Sequence, residues 1–412
     1  MPEMTYPFPR KDNSGLVLFF LTMVVFLVPF AMQFTGSNYV KLIEDFAYLI
    51  ALLYSIFIIV QRNSRIIINK TAGIFLIFFF LFMMIGIYYN GFAMEVIQLR
   101  ELKYLLLPII LVPFNDIDDY KKIWSGLKVI AAVSVPVSIV QWYLYRSNGD
   151  YVTGIMGYKS SGILTFFVLI IFFSELGIRL EKREKVIGPY FLYLIPTIIN
   201  ETKITIIIFP IMLFIIMMIT KRFKIYTFVA AAIILFALLW IWSAMYKNTY
   251  GISLNEVFSY KYLYNYMFAT NWIGDAGRLA KVIYAFDVIK GSNLYLGYGL
   301  GSSYSGATSG LRGYISGMYY TPEMFGGTRP QIFVSLIEIG VVGTAAVILI
   351  LILVFKKILE LKGNTIERFI AINSFLVVFV SLLYQQVFYF YQIMYLLIIF
   401  TVASLKFIKN RD

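Results

Sequence analysis

Twelve long apolar stretches, separated by short gaps with one exception, leave this chain little choice of architecture. The exception runs from Tyr246 to Pro330 and is crowded with Tyr, Gly and Arg. Of the 412 residues 60% are apolar and only 14% charged, and mean hydropathy is +0.80. A water-soluble chain cannot hide that much apolar surface, so the bilayer must solvate most of it. The runs are continuous rather than alternating, so they predict helices and not the strands of a barrel. The spacing places spans near 15–34, 43–60, 71–89, 95–114, 123–145, 162–179, 186–200, 203–219, 225–245, 331–355, 366–384 and 387–406. The pair at 186–200 and 203–219 also reads as one broken helix hinged at Asn200-Glu201-Thr202. The expected fold class is therefore an all-α polytopic membrane protein, with residues 1–245 forming helices 1–9, 246–330 a loop domain, and 331–412 helices 10–12 and a tail.

Net charge is +13, and in a membrane chain its first meaning is topological rather than a sign of nucleic-acid binding. One set of gaps holds Arg62, Arg65 and Lys70, then Arg179, Lys182, Arg183 and Lys185, then Lys221, Arg222 and Lys224. The alternate short gaps hold only Lys41, Arg146, Lys159 and Lys203. The positive-inside rule then puts both termini in the cytoplasm and the long loop outside. The first span follows a Pro-rich polar tail and is expected to stay in place rather than be cleaved as a signal. Cysteine and histidine are both absent, which removes thiol chemistry, the usual general base and the commonest zinc ligand. No metal and no cofactor are expected.

The long loop is too rich in Tyr, Phe, Trp and Leu for a disordered linker. Within it GRLAKVIYAFDVIK places Leu279, Val282, Ile283, Phe286 and Ile289 at helical spacing, which predicts an amphipathic surface helix. No internal repeat supports an inverted-repeat transporter. Four sets of polar residues stand where the outer face would use them or where lipid disfavours them. Arg100, Glu101 and Lys103 fall inside the fourth predicted span, facing either an aqueous cavity or the headgroups by snorkelling. Lys203, with Glu201, sits at the mouth of the eighth, as an anion holder or an interface lysine. Arg278, beside Asp275, opens the loop helix, as a ligand or as part of a polar surface. Arg329 stands just before the tenth span, with Glu338 inside it and Gly340 and Gly343 available for close packing. Arg forks match pyrophosphate oxygens, and aromatic faces with polar neighbours suit sugars. The combination suggests a lipid-linked, pyrophosphate-bearing glycan. Asp116, Asp118 and Asp119 look like the metal motif of nucleotide-sugar transferases, but they precede a helix and read better as its cap.

This pattern resembles the O-antigen polymerase and O-antigen ligase superfamily, in its span count and in one large outer loop between late helices. GRLAKVIYAFDVIKGSNLYLGYGLGSS looks like the family's loop segment, where an Arg opens a helix and a G-x-G turn follows. VTGIMGYKSSGIL looks like the segment before the sixth span, and NETKITIIIFPI like the start of the eighth, with Lys203 at the family's basic position. TRPQIFVSLIEIGVVG is similar to the ligases' motif, but Arg329 stands where the ligases carry an essential His. That departure favours the polymerase (Wzy-type) branch. Arg146 to Gly157 and Arg329 to Gly340 also match the Arg-x10-Gly spacing described for such polymerases, as does Arg62 to Gly73 in a cytoplasmic gap.

The resemblance implies a GT-C-like membrane glycosyltransferase of the bacterial inner membrane. It would join undecaprenyl-pyrophosphate-linked repeat units at the outer face, in contact with membrane lipids and with a chain-length regulator protein as partner. In that reading Arg278, Arg329 and Lys203 stabilise the leaving pyrophosphate. Arg100, Lys103, Arg146 and Arg312 are further substrate-binding candidates, and Asp275, Glu323 and Glu338 are the candidate bases. The alternatives are an O-antigen ligase acting on lipid A core and a polysaccharide flippase.

Overall fold

A computed structural model describes residues 13–36, 38–61, 70–105, 117–145, 149–157, 161–200, 202–222, 253–257, 259–271, 275–291, 293–305, 312–361 and 365–409, with isolated positions between 229 and 251. The larger helices, in order, are α1 (Ser14–Thr35), α2 (Lys41–Gln61), α3 (Lys70–Asn90), α4 (Phe92–Glu101), α5 (Ile117–Leu144), α6 (Ser161–Lys182) and α7 (Thr205–Thr220). They continue as α8 (Tyr260–Phe268), α9 (Arg278–Val288), α10 (Gln331–Glu360), α11 (Ile366–Ser381) and α12 (Tyr391–Lys409). Among the described residues four helices are long and apolar enough to cross a membrane: Ser14–Thr35, Asp119–Leu144, Ser161–Lys182 and Gln331–Glu360. The architecture is that of a helical membrane protein.

α6 is hydrophobic on every side, and such a helix belongs at the centre of a bundle. Phe166 through Ile171 are all 0% exposed, enclosed by α5, α7 and α11. Polar pairs lock this core where lipid offers no alternative partner: Asn373 Nδ2 donates to Ser174 Oγ at 3.0 Å, and Thr22 Oγ1 lies 2.6 Å from the Tyr395 hydroxyl.

Two expected spans come out shorter. The one predicted at 95–114 stops as a helix at Glu101, and residues 106–116 lie outside the described set. The one at 186–200 is a 3-10 turn, Pro189–Leu194, followed by the short helix Ile195–Ile199. Pro189 and Pro196 open those two pieces, and Asn200 ends them, donating to Ser161 O and Thr165 Oγ1. At about 1.5–2 Å per residue that segment is too short to cross a hydrocarbon core alone. The span at 225–245 falls almost wholly outside the described residues.

The feature that organises the 246–330 segment is a break in α10. Gly340 adopts φ 65°, ψ −173° inside an otherwise helical run. The carbonyls of Ile337 and Glu338, just before the break, accept from Tyr298 N–H and Gly299 N–H, each at 2.9 Å. The backbone of the glycine-rich turn thus docks into the gap. Space there is minimal: a carbon added at Gly297 would lie 2.5 Å from Glu338 O, and one added at Gly340 would lie 2.4 Å from Tyr295 O. Gly340 therefore does more than the close packing its sequence suggested; it opens the helix to receive the turn. A second core seals the junction, with Ala285, Val288 and Ile289 of the loop against Phe333, Val334 and Ile337 of α10.

Gly340→Ala and Gly297→Ala are each expected to destabilise the protein. Left-handed backbone strain alone costs about 1–3 kcal/mol, and the backbone clash adds to it. Gly317→Ala, where the added carbon meets nothing within 4 Å, serves as the neutral control. Thermal unfolding of the purified protein checks this; equal midpoints for all three would show that the turn and the break are not tightly joined.

Candidate functional site

α9 forms where the sequence placed it, and its buried face takes in only part of the predicted stripe. Ile289 is buried and Val282 packs on the second core, Ile283 and Phe286 are exposed, and Arg278, Lys281, Ala285 and Val288 turn inwards. The reason lies in what the cations find there. Lys281 is 0% exposed and donates to Asp275 Oδ1 at 2.6 Å, Gly326 O at 2.9 Å and Thr328 O at 3.2 Å. Those three acceptors satisfy all three ammonium hydrogens, which lets a buried lysine survive. Burial still pulls its pKa below the ordinary lysine value, Asp275 opposes that shift, and the nearby Arg278 and Arg329 reinforce it.

Arg278 Nη1 donates to Thr328 O at 2.8 Å and to Asp275 Oδ2 at 3.2 Å. Its guanidinium lies between two rings, 5.5 Å from the centre of Tyr266 and 5.7 Å from that of Tyr384. Its Nε–H is buried with no acceptor among the described residues. Tyr266 is shared: Lys203 Nζ stands 5.4 Å from the same ring and 5.6 Å from that of Tyr262, whose hydroxyl it reaches at 3.3 Å. The tyrosines of α8 thus bridge the start of α7 to the start of α9. Ser259 caps α8, its hydroxyl accepting from Tyr262 N–H.

Arg329 is one residue from the carbonyl that binds Arg278 and Lys281. Its Nη1 donates to Ser303 O at 2.5 Å and its Nη2 to Gln386 Oε1 at 3.1 Å. The two segments are pinned together because Gln331 N–H and Ile332 N–H, at the start of α10, donate to Gln385 O and Leu382 O. Burial lowers the Arg329 pKa from the ordinary arginine value, and the nearby Glu338 carboxylate opposes that shift. Glu338 is buried beside it, accepting from Ser303 Oγ at 2.8 Å and facing the Tyr389 hydroxyl at 3.2 Å.

The remaining candidates separate. Arg100 and Lys103 are held by acids of α2 that the sequence reading had not paired with them. Arg100 Nη2 meets Asp45 Oδ2 at 2.5 Å, and Lys103 Nζ meets Asp45 Oδ1 at 2.5 Å and Glu44 Oε1 at 2.9 Å. Glu101 pairs with Lys41 at 2.8 Å. This network ties α2 to the end of α4 and leaves those charges neutralised within the protein. Arg312 is exposed, its guanidinium 4.2 Å from the centre of the Tyr320 ring. Glu323 is half-buried in the short helix Pro322–Phe325, and its carbonyl accepts from Ala276 N–H, next to Asp275. Arg146, Glu201 and Asp116 lie outside the described residues. Asp118 and Asp119 of that acidic motif fall in the first turn of α5.

Sequence reading missed Lys281, Tyr266, Tyr384 and Glu95. Lys281 carried a usable signal, since it sits three residues after Arg278 on one helical face. The others are joined to the site only by tertiary contacts. No family model, curated protein or solved structure matches the chain. A separate hollow of about 300 Å³ between α1 and α5 is lined by Phe19, Met23, Leu27 and Phe30 among others, and its apolar walls offer no group for chemistry. The candidate centre is the cation cluster, in which Arg278 and Lys281 bond the carbonyls of residues 326–328 and Arg329 follows directly in the chain.

Asp275→Ala should destabilise this cluster by about 1–3 kcal/mol, below the cost of breaking a fully buried pair because Asp275 is one-third exposed. Adding Lys281→Met should recover much of that loss, because the buried ammonium no longer needs a counter-charge. A double-mutant cycle in thermal unfolding reads the coupling directly; strictly additive losses would show that Lys281 does not depend on Asp275.

Proposed function

We propose that this chain is a polysaccharide polymerase that joins undecaprenyl-pyrophosphate-linked oligosaccharide units at the outer face of a bacterial inner membrane. The observation that carries the reading is Arg278, a buried guanidinium held between two tyrosine rings with an Nε–H still to satisfy, beside Lys281 and Arg329. An unfilled donor among gathered cations suits an anion with several oxygens, and a pyrophosphate supplies them. In this proposal the helices span the bilayer with residues 246–330 outside, as the charge pattern of the gaps suggests. The resemblance to the O-antigen polymerases supplies the substrate class. The missing histidine weighs against the ligase branch.

The reaction is a displacement at the donor's anomeric carbon. The acceptor hydroxyl oxygen forms the new glycosidic bond while the bond to the pyrophosphate oxygen breaks, and undecaprenyl pyrophosphate leaves. Arg278 and Arg329 stabilise the charge that grows on the leaving group, and fixed cations do so without reorganising. Lys203, fixed against Tyr262 and Tyr266, extends the positive region, and the rings offer faces for sugar. The acceptor's proton passes to a carboxylate. Asp275 is engaged by two cations and Glu338 by two hydroxyls, so the assignment falls to Glu323, beside the cluster.

Arg278→Ala and Arg329→Ala are each expected to lower polymer formation by at least about 10²–10³-fold, the scale of losing one fixed donor to developing charge. Arg278→Lys keeps the charge, gives up the fork, and should rescue only part of the activity. The assay is a ladder of products from purified protein and a synthetic pyrophosphate-linked repeat unit. Full-length ladders from both alanine variants would overturn the proposed site. In cells, loss of the protein should leave single repeat units on the surface; their absence would point to a flippase instead.

A further inference from the structure

The region around Glu338 holds more negative charge than the protein itself neutralises. Glu95 of α4 is 1% exposed, and its carboxyl group packs against Gly86 of α3. A carbon added at Gly86 would lie 1.8 Å from Glu95 Oε1 and 3.0 Å from Leu300 O, so the group sits beside the docked glycine turn. Among the described residues neither Glu95 oxygen is met by a well-aligned donor: the nearby Asn90 amide gives its hydrogens to Leu300 O and Ser302 Oγ, each at 3.0 Å, and one turn further along α4 the equally buried Gln98 Nε2 has no acceptor. Gln98 Oε1 lies 3.0 Å from the Tyr389 hydroxyl, which in turn lies 3.2 Å from Glu338 Oε2. Gln98, Tyr389 and Glu338 thus form one polar chain, and Glu95 lies one turn before its first member on α4.

Charge counting shows the imbalance. Arg329, from the segment before α10, is the cation that faces Glu338 among the described residues. α3 presents Gly86, the glycine turn presents the Leu300 carbonyl and Ser303, and the 387–389 turn presents Tyr389. On α4 itself Arg100 and Glu101 are bound to Asp45 and Lys41. Phe79, Phe82, Leu102, Leu300 and Ile339 form the apolar wall next to these groups. Two carboxylates against one guanidinium leave one negative charge in apolar surroundings, which a packed interior does not sustain.

We propose that Glu95 and Glu338 together hold one exchangeable positive charge, a proton or a small monovalent cation, at the junction of α4, the glycine turn and the break in α10. The chemistry common to both is neutralisation of a buried carboxylate. Losing that charge sets the two acids against each other at the point where the 246–330 segment is fastened to the helices. The inference does not depend on the proposed reaction, and its test reads stability rather than polymer.

Thermal unfolding of the purified full-length protein is measured against pH in choline chloride, and against sodium chloride at one alkaline pH. The folded pair keeps a charge that the unfolded chain releases, so stability is present at low pH and is lost as pH rises. The wild-type midpoint is expected to fall by several degrees in choline as pH rises. Recovery on adding sodium identifies a metal cation, and no recovery identifies a proton. Glu95→Gln and Glu338→Gln each balance the charges, so either should flatten the response; Arg329→Gln should steepen it. Agreement from either glutamate variant suffices if the other does not fold. A flat wild-type profile in both arms, or a Glu95→Gln profile that falls like wild type, overturns the proposal.

Discussion

The structure depends on an exchange of backbone hydrogen bonds between an interrupted helix and a turn far from it in sequence. A polar backbone group that reaches hydrocarbon must find a partner in the protein, so a helix can break inside a membrane only where something fills the gap. Here Gly340 breaks α10 and the turn at Tyr298-Gly299 supplies N–H groups to Ile337 O and Glu338 O. Neither side works alone. The turn without the break has no acceptors, and the break without the turn leaves carbonyls exposed to apolar surroundings.

That exchange also sets the geometry of the polar centre. It fixes the Gly297–Ser303 stretch against α10, which brings Ser303 to both Arg329 and Glu338. It holds α9 over the first half of α10 through the Ala285–Val288–Phe333 core. α9 then delivers Arg278 and Lys281 to the carbonyls of residues 326–328, immediately before Arg329. Three cations converge because three segments are each anchored to the same stretch of backbone. This is positioning on helices and bonded turns rather than on a free loop, and it suits a site that must hold its geometry.

What was legible in the sequence follows from which forces are local. The helices around α6 were readable because twenty-residue apolar runs report burial in lipid directly. The short segments at 92–101 and 189–199 were not, since their ends are set by capping and by prolines within apolar text. Arg278 and Arg329 stood out as cations at helix starts. Their convergence did not, because it arises from contacts over 45 residues and more in sequence, such as Lys281 with Gly326. The same reasoning separates Arg100 and Lys103 from the others. Their partners Glu44 and Asp45 lie two helices earlier, and nothing local announces the pairing. α9 was legible as an amphipathic helix, and Ile289 and Val282 of its stripe do pack inwards; what the spacing did not announce is that the acceptors of Lys281 draw the charged residues Arg278 and Lys281 inwards as well.

The contrast between the two cation groups bears on what each can do. Acids hold Arg100 and Lys103, and an ion pair leaves almost no field for a ligand to feel. Tyrosine rings hold Arg278 and Lys203 in part, through the negative faces of their π-systems. A ring fixes a cation without cancelling its charge. In the cluster around residues 326–329, one partly exposed acid, Asp275, serves both Arg278 and Lys281, and carbonyl dipoles do the rest. Net positive potential therefore survives there in a medium of low dielectric, where it acts over longer distances than at a water-exposed surface. A protein needing only to knit its helices would gain more from the acid-paired arrangement at α2 and α4. The ring-held arrangement leaves its field uncancelled, which is the property the proposed anion site requires.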